Sequence, residues 1–347
     1  MNNISYDSLK SIIKHLSSEK RETIHCRIES LRSTNLLFPY EFETVTFSRN
    51  RIQIENRNWH FTETATDHNE EFARYDRFHP DGSVPSRVYV RFQCAEEFQW
   101  RRVINMSLDD ACRKLMSHYF RNGTKINSLI LREIPSFFKE QDSQDFKIAV
   151  FNLKFCCVQR HGFLTICDSF LSLIEPKGLK SVEFNSIDGN LEFLDLPIIK
   201  SCMKLILSFQ WIGATPVNDF LFRLTNQIIY LCHPNFTIEN VQSLAENWIE
   251  SGRPIGTTFA VEIHDYDMVL DIFDRFKERY GAIHSNVANI MTSYHANSIT
   301  IKLNNESELV VFGGTTVTTE STRRNAPIWS VNMQIFRSGT SVVKETR

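Results

Sequence analysis

The stretch NQIIYLCHPNFTIENVQSLAENWIESGRPIGTTFAVEI, Asn226 to Ile263, reads as apolar strand, capped amphipathic helix and apolar strand in succession. Gln227-Ile228-Ile229-Tyr230-Leu231 is a β-branched and aromatic run, and His233-Pro234-Asn235 punctuates its end. Thr237 is positioned as an N-cap. Ile238, Val241, Leu244, Ala245, Trp248 and Ile249 then recur at steps of three and four, which places them on one helical face. Gly252 and Pro254 stop that helix, and Thr257 to Ile263 opens a new strand with Phe259, Val261 and Ile263 on one side. A unit of this size cannot bury its own apolar face, so its neighbours must be similar layers.

Working outward, apolar strand starts fall near Leu129, Phe151, Val182, Leu205, Ile229 and Phe259. Helices are expected at Thr165–Ile174 (Ile166, Phe170, Leu173 and Ile174 inward), at Leu196–Cys202 with Pro197 in the first turn, and at Thr215–Leu224 with Pro216 early in it. Strands and helices alternating at steps mostly in the twenties are what an irregular leucine-rich-repeat-like solenoid produces. The 27 phenylalanines supply the bulk to fill such a stack. The predicted fold class is therefore α+β, a short N-terminal helical hairpin followed by a strand–helix body of leucine-rich-repeat-like organisation.

The expected divisions are 1–38 for the hairpin, 39–125 for an α+β module, 126–313 for the repeat-like body, and 314–347 for a Thr-rich linker, closing strand and frayed tail. In the hairpin, the first helix begins at Ser5 with Leu9, Ile12, Ile13 and Leu16 at helical spacing. Ile24, Ile28 and Leu31 follow a polar break at Ser17–Arg21. Phe42–Phe47, Arg51–Glu55 and Trp59–Phe61 read as strands. Thr62–Arg87 reads as a long polar loop whose Tyr75 and Phe78 suit either a recognition loop or a solvated insertion. Val88–Phe92 is a strand, and Ser107 caps a helix that buries Leu108, Ala111, Cys112, Leu115, Met116 and Tyr119 before Gly123. A helix at Asp267–Tyr280 (Val269, Leu270, Phe273 and Phe276 inward) and strands at Ser298–Leu303, Glu308–Phe312 and Ile328–Phe336 complete the chain. The last of these is expected to close the stack, with the Thr-rich linker Gly314–Arg324 before it and Ser338–Arg347 fraying.

The 347 residues suffice for two domains, and a formal charge of -2 argues against nucleic acid as a partner. No run approaches a membrane span and the start has no secretory pattern, so a cytoplasmic or nuclear protein is expected. Eight cysteines (Cys26, Cys94, Cys112, Cys156, Cys157, Cys167, Cys202, Cys232) without a CxxC pair read as reduced, buried thiols. No local nucleotide, zinc-protease, serine-hydrolase or calcium motif occurs, and of the eleven histidines His60, His68, His79, His118, His161, His233, His264, His284 and His295 lie singly. No catalytic residue, cofactor or metal is expected. A Cys–His pair stays open as the enzymatic alternative, since such pairs form in space; His25 beside Cys26 is a neighbour of ordinary kind. Trp248 is expected in the core rather than at a partner surface.

Tyr6-Asp7-Ser8-Leu9-Lys10-Ser11-Ile12-Ile13-Lys14-His15-Leu16, Glu19-Lys20-Arg21, Arg27 and Ser30-Leu31-Arg32 together resemble the opening of a large nematode family of F-box-associated proteins. Asn105–Ala111 with Arg113–Leu115, and Phe236–Val241 through Asn247–Gly256, are similar to that family's later segments. The resemblance implies a substrate-recognition adaptor. Leu9, Ile12, Ile13 and Leu16 would contact a Skp-type linker of a cullin ubiquitin ligase, and the body would hold a target protein. Ser5-Tyr6 replaces the Leu-Pro opening of a standard F-box, and the segment breaks into strand at Phe42 with no clear third helix before it. Read from spacing alone, the same four residues serve equally as a stripe packed on the strands after Pro39, in an interaction module without a ligase.

Overall fold

The computed structural model describes residues 5–48, 50–62, 87–94, 98–133, 147–156, 163–187, 191–209, 217–233, 235–263, 265–287, 298–316 and 328–343. The chain has both helices and strands, as an α+β protein does, with helices at its N-terminus. It divides into two compact units, the first formed by Met1–Cys156 with Thr165–Leu179 and the second by Cys157–Leu164 with Lys180–Arg347.

The first unit opens with α1 (Tyr6–His15) and α2 (Ser18–Arg27), capped by the side chains of Ser5 and Ser17. A 3-10 turn and a short α3 (Arg32–Leu36) follow, so a third helix does precede the strands. It was hidden because Arg32-Ser33-Thr34-Asn35-Leu36 has no apolar period. The sheet comprises β1 (Glu41–Ser48), β2 (Arg51–Ile54), β3 (Arg57–Thr62), β4 (Arg87–Cys94), β5 (Phe98–Asn105), β6 (Lys125–Leu131) and β7 (Ala149–Phe155). Its order is β7-β6-β1-β2-β3-β4-β5, with β7, β6 and β1 parallel and the rest antiparallel. Between β5 and β6 runs α4 (Leu108–Tyr119), started by Ser107 accepting from the Asp110 N–H. It buries Ala111, Cys112, Met116 and Tyr119, while Leu108 and Leu115 are only half-buried. Phe42 and Phe47 meet Phe120 after α4 at ring separations of 6.1 and 5.8 Å, which sets this helix over β1. α5 (Phe163–Leu171) buries Cys167, Phe170 and Leu171, and Leu173 and Ile174 follow it inside; the Ile166 side chain lies outside the described residues.

The second unit carries β8 (Ser181–Ile187), α6 (Pro197–Ser201), β9 (Lys204–Phe209), α7 (Val217–Leu221), β10 (Ile228–Cys232), α8 (Ile238–Ser251), β11 (Thr258–Ile263) and α9 (Asp267–Tyr280). β8 to β11 lie side by side in sequence order and all parallel. Each layer is stitched to the one before it at the strand entrance: Lys204 N–H donates to Lys180 O at 2.9 Å, Ile228 N–H to Met203 O at 2.9 Å, and Thr258 N–H to Gln227 O at 2.8 Å. Buried Asn226 donates from Nδ2 to the Ile199 and Cys202 carbonyls at 2.8 Å each, satisfying the corner that leads into β10. Thr237 and Asn240 form a reciprocal capping box on α8, and Gly252 at φ 68 closes it in a left-handed turn that suits glycine. Trp248 is 1% exposed, in the core as expected.

Beyond β11 the order departs from expectation. β12 (Ile283–Val287), β13 (Ser298–Lys302), β14 (Ser307–Thr316), β15 (Ile328–Arg337) and β16 (Ser341–Val343) run β16-β12-β13-β14-β15-β11, all antiparallel. The strand expected to close the stack is thus interior, between β14 and β11, with Phe259 opposite Met333 and Val261 opposite Val331. The start of the expected linker is part of β14. The tail does not fray through Val343, because buried Glu308 accepts the N–H groups of Ser341 at 2.7 Å and Gly339 at 3.1 Å and pins β16 beside β12. On α9 the stripe is Val269, Ile272, Phe273 and Phe276; Leu270, expected inward, is 39% exposed. An added Cβ on Gly313 would meet Val269 at 3.0 Å and Tyr266 at 3.1 Å, so the missing side chain lets α9 approach β14. Among the described residues no helix is long and apolar enough to cross a membrane.

The loop expected at 62–87, apart from Thr62 and Arg87 themselves, lies outside the described residues, as do Thr215 and Pro216 at the start of an expected helix.

Candidate functional site

The sequence places its partner-contacting residues on α1, and the structure separates them. Ile13 is 1% exposed, Leu9 and Leu16 are half-buried, and Ile12 stands out at 48% exposure. One amphipathic face is thus partly consumed by the fold, and a different set of apolar side chains points outward. These are Tyr6, Ile12, Ile28, Leu36 and Leu37. Ile28, expected inward on α2, is among them, with Ile24 and Leu31 half-buried.

What holds this segment is a buried polar cluster centred on Arg21, which spacing had assigned to a plain polar break. Arg21 is 4% exposed. Its Nε donates to Asn35 Oδ1 at 2.9 Å, Nη1 to Pro39 O at 2.7 Å, and Nη2 to Asn35 O at 3.1 Å and Phe38 O at 2.5 Å. The guanidinium therefore caps the carbonyl end of α3 and the turn into β1, where helix geometry leaves acceptors without partners. It also lies over the Tyr40 ring at 4.4 Å. Arg121 reinforces the same carbonyl, with Nη1 at 3.3 Å from Asn35 O and Nε donating to His118 O at 2.9 Å.

Glu22 anchors the next layer. It accepts from Tyr40 Oη at 3.1 Å and lies 3.3 Å from His118 Nε2. Burial by itself would raise its carboxyl. The hydrogen bond and charge of His118, the Arg57 charge and the Tyr40 hydroxyl outweigh that and bring it down to about 2. Burial and the Glu22 charge push the Tyr40 phenol up. Arg57 is buried at 3% exposure, 3.8 Å from Glu55 and over the Tyr119 ring at 5.4 Å, with no hydrogen-bond partner on its three side-chain nitrogens among the described residues. Ser18 Oγ donates to Glu55 Oε2 at 2.9 Å and ties the start of α2 to the β2–β3 turn.

Because the Glu22 pKa is depressed in the fold, its contribution is complete above the ordinary carboxylate range near 4.5 and is lost as pH falls from there through about 2. Glu22→Gln is expected to cost about 2 kcal/mol at neutral pH and to flatten the acid limb between those values, as seen in urea titrations at several pH values.

The neighbours His25 and Cys26 face different groups. His25 meets His118 with ring centroids 4.7 Å apart and planes tilted by 54°, and Cys26 Sγ faces Glu22 Oε1 at 3.8 Å. Desolvation and the Glu22 charge push the Cys26 thiol up, which is the opposite of an activated thiolate. Desolvation also lowers His25. Buried His233 accepts the Asn235 N–H at Nδ1, 3.2 Å away, and is satisfied structurally. Of the cysteines, Cys112, Cys167 and Cys202 are buried and free, whereas Cys26 is exposed against expectation; Cys157 lies outside the described residues. Among the described residues no three His, Cys, Asp or Glu side chains are grouped to hold a metal ion.

Residues 107–265, from the cap of α4 to just beyond β11, match the family model of a domain of unknown function (DUF3557). That is just under half of the chain, and it leaves α1–α3 outside. No curated protein and no solved structure matches the chain.

Proposed function

We propose that the chain is a substrate-recognition adaptor of a cullin-type ubiquitin ligase, with α1–α3 docking a Skp-type linker and the strand–helix body holding a target protein. The observation that carries this reading is the distribution of exposed apolar side chains. Among the described residues eleven large ones are exposed, and five of them (Tyr6, Ile12, Ile28, Leu36, Leu37) fall within the first 37 positions. A segment fastened from beneath by Arg21 while presenting oily groups outward is suited to a protein partner. The body supports the second half of the reading: strands starting at 181, 204, 228 and 258 give steps of 23, 24 and 30 by subtraction, as in irregular leucine-rich-repeat-like layering. The resemblance to nematode F-box-associated proteins points the same way. The adaptor binds and positions, and carries out no catalysis.

A second reading has one observation in its favour. Ile13 at 1% exposure and the Arg21 clamp make the N-terminal segment part of the core, which also fits an interaction module with no ligase link.

Paired variants separate the two. Ile12→Asp alters an exposed residue, so it is expected to leave the thermal transition unchanged and to weaken capture by a purified Skp-type linker by about tenfold or more. Ile13→Asp is expected to lower the transition itself. Wild type that fails to bind the linker, or Ile12→Asp and Leu36→Asp variants that bind as wild type does, would leave the interaction-module reading standing alone.

A further inference from the structure

The two ends of α2 are fastened by different chemistry. At its start, Ser18 donates to Glu55, and Arg21 donates to Asn35, Phe38 and Pro39. Hydroxyl and guanidinium donors keep their protons across the neutral range. At its far end the contact with α4 passes through two imidazoles, His25 and His118, with ring centroids 4.7 Å apart. Imidazole is the side-chain group whose ordinary titration falls between pH 5 and 8.

The surroundings of His25 suit its neutral form. Its Nδ1 is buried and has no hydrogen-bond partner among the described residues. A neutral ring protonated on Nε2 leaves one unused acceptor there. An imidazolium carries protons on both nitrogens, so charging the seated ring buries an N–H that nothing accepts.

The charges facing the pair add to this. Arg32, itself 3.5 Å from Glu29, donates to His25 O at 2.9 Å, and Arg121 donates to His118 O at 2.9 Å. Arg57 lies over the ring of Tyr119, the residue after His118. The carboxylate at the pair is Glu22, whose Oε2 is already shared by Tyr40 and His118 and whose Oε1 faces Cys26. Glu55 is turned to Ser18 and Arg57. Tyr40 and Tyr119, both pushed up mainly by burial, are neutral phenols. A second positive ring beside His118 therefore enters a site already rich in guanidinium.

We propose that the His25–His118 contact is a proton-operated latch, closed while His25 is neutral and opened, with residues 22–27 lifting from α4, when Nδ1 takes a proton from solvent. Opening displaces Ile28, the exposed apolar residue that follows α2, while the Arg21 clamp keeps α3 in place. The latch is independent of whether a linker docks on α1–α3. Desolvation, then the His118 charge, hold the seated His25 below its ordinary 6.5. The seated state is accordingly complete above about 6.5 and is lost as pH falls below it. Glu22 acts in the separate window from 4.5 down to about 2.

Amide exchange on the purified full chain at pH 7.5 and 5.5, corrected for intrinsic rates, tests this. Opening at 22–28 is expected to become about threefold or more commoner at pH 5.5, where one histidine supplies at most about tenfold over that interval, while α8 serves as the unchanged reference. His25→Gln is expected to remove the pH response, and His25→Lys to open the segment already at pH 7.5. In the wild type, the His25 ring followed by NMR is expected to titrate below 6.5. That reading decides the matter if the glutamine ring substitute fails to seat. Three results would overturn the latch: equal opening at both pH values in wild type, an undiminished response in His25→Gln, or a His25 ring that titrates at or above 6.5.

Discussion

Arg21→Ala is expected to cost about 3–5 kcal/mol, because the change strips one guanidinium from three backbone carbonyls and leaves them buried. The side chain of Asn35, itself fully buried, loses the partner of its Oδ1 and keeps its Nδ2 donation to Tyr40. Urea unfolding would show the loss as a lower midpoint. Amide exchange should speed up first between residues 32 and 40, since the carbonyl end of α3 is what the guanidinium closes. Arg21→Lys is expected to recover less than half of the difference, because an ammonium cannot reach Asn35, Phe38 and Pro39 together in a fixed fork. A loss below about 1 kcal/mol in the alanine variant would show that Arg121 or water carries the same carbonyls, and the clamp would no longer explain how α1–α3 are held.

Trp248→Ala is expected to cost a comparable 3–5 kcal/mol, this time in the second unit. Among the described residues the indole is the largest fully buried side chain, on the face of α8 that also buries Val241, Leu244 and Ala245. Its loss leaves a cavity that small neighbours cannot fill, since Ala245 offers no side chain to move. Trp248→Phe keeps most of the ring volume and is expected to lose about half as much. Exchange protection in β9–β11 should fall in the alanine variant while the Arg21 region of the first unit keeps its own. Unchanged protection in β10 and β11 would mean that α8 is a surface element, and the layered description of this unit would fail.

What could be read from the chain in advance was whatever is written locally. α8 announced itself through Thr237 at one end, Gly252 at the other and an apolar residue every three or four positions between. The six strand starts from β6 to β11 were visible because each is a short run rich in apolar and β-branched residues whose buried members fall mostly at alternate positions. β5 escaped notice, since Arg101-Arg102 interrupts the alternation of an edge strand, and β12 did so because His284-Ser285-Asn286 carries no apolar signal. Ile272 was legible and misread: Val269, Ile272, Phe273 and Phe276 follow the helical period better than the set that included Leu270. The Arg21 cluster was beyond reach. It joins Arg21 to Asn35, Phe38 and Pro39, 14 or more positions away, and no local pattern specifies that contact.

The reversal at β11 also limits how this chain can grow. Its far side is occupied by an antiparallel strand, with Glu262 opposite Ser330 and Ile263 opposite Trp329, so a copied strand–helix module appended after Ile263 would find no lane to enter. Tandem duplication can lengthen the second unit only by insertion before Thr258, where each new strand would find a codirectional neighbour on both sides.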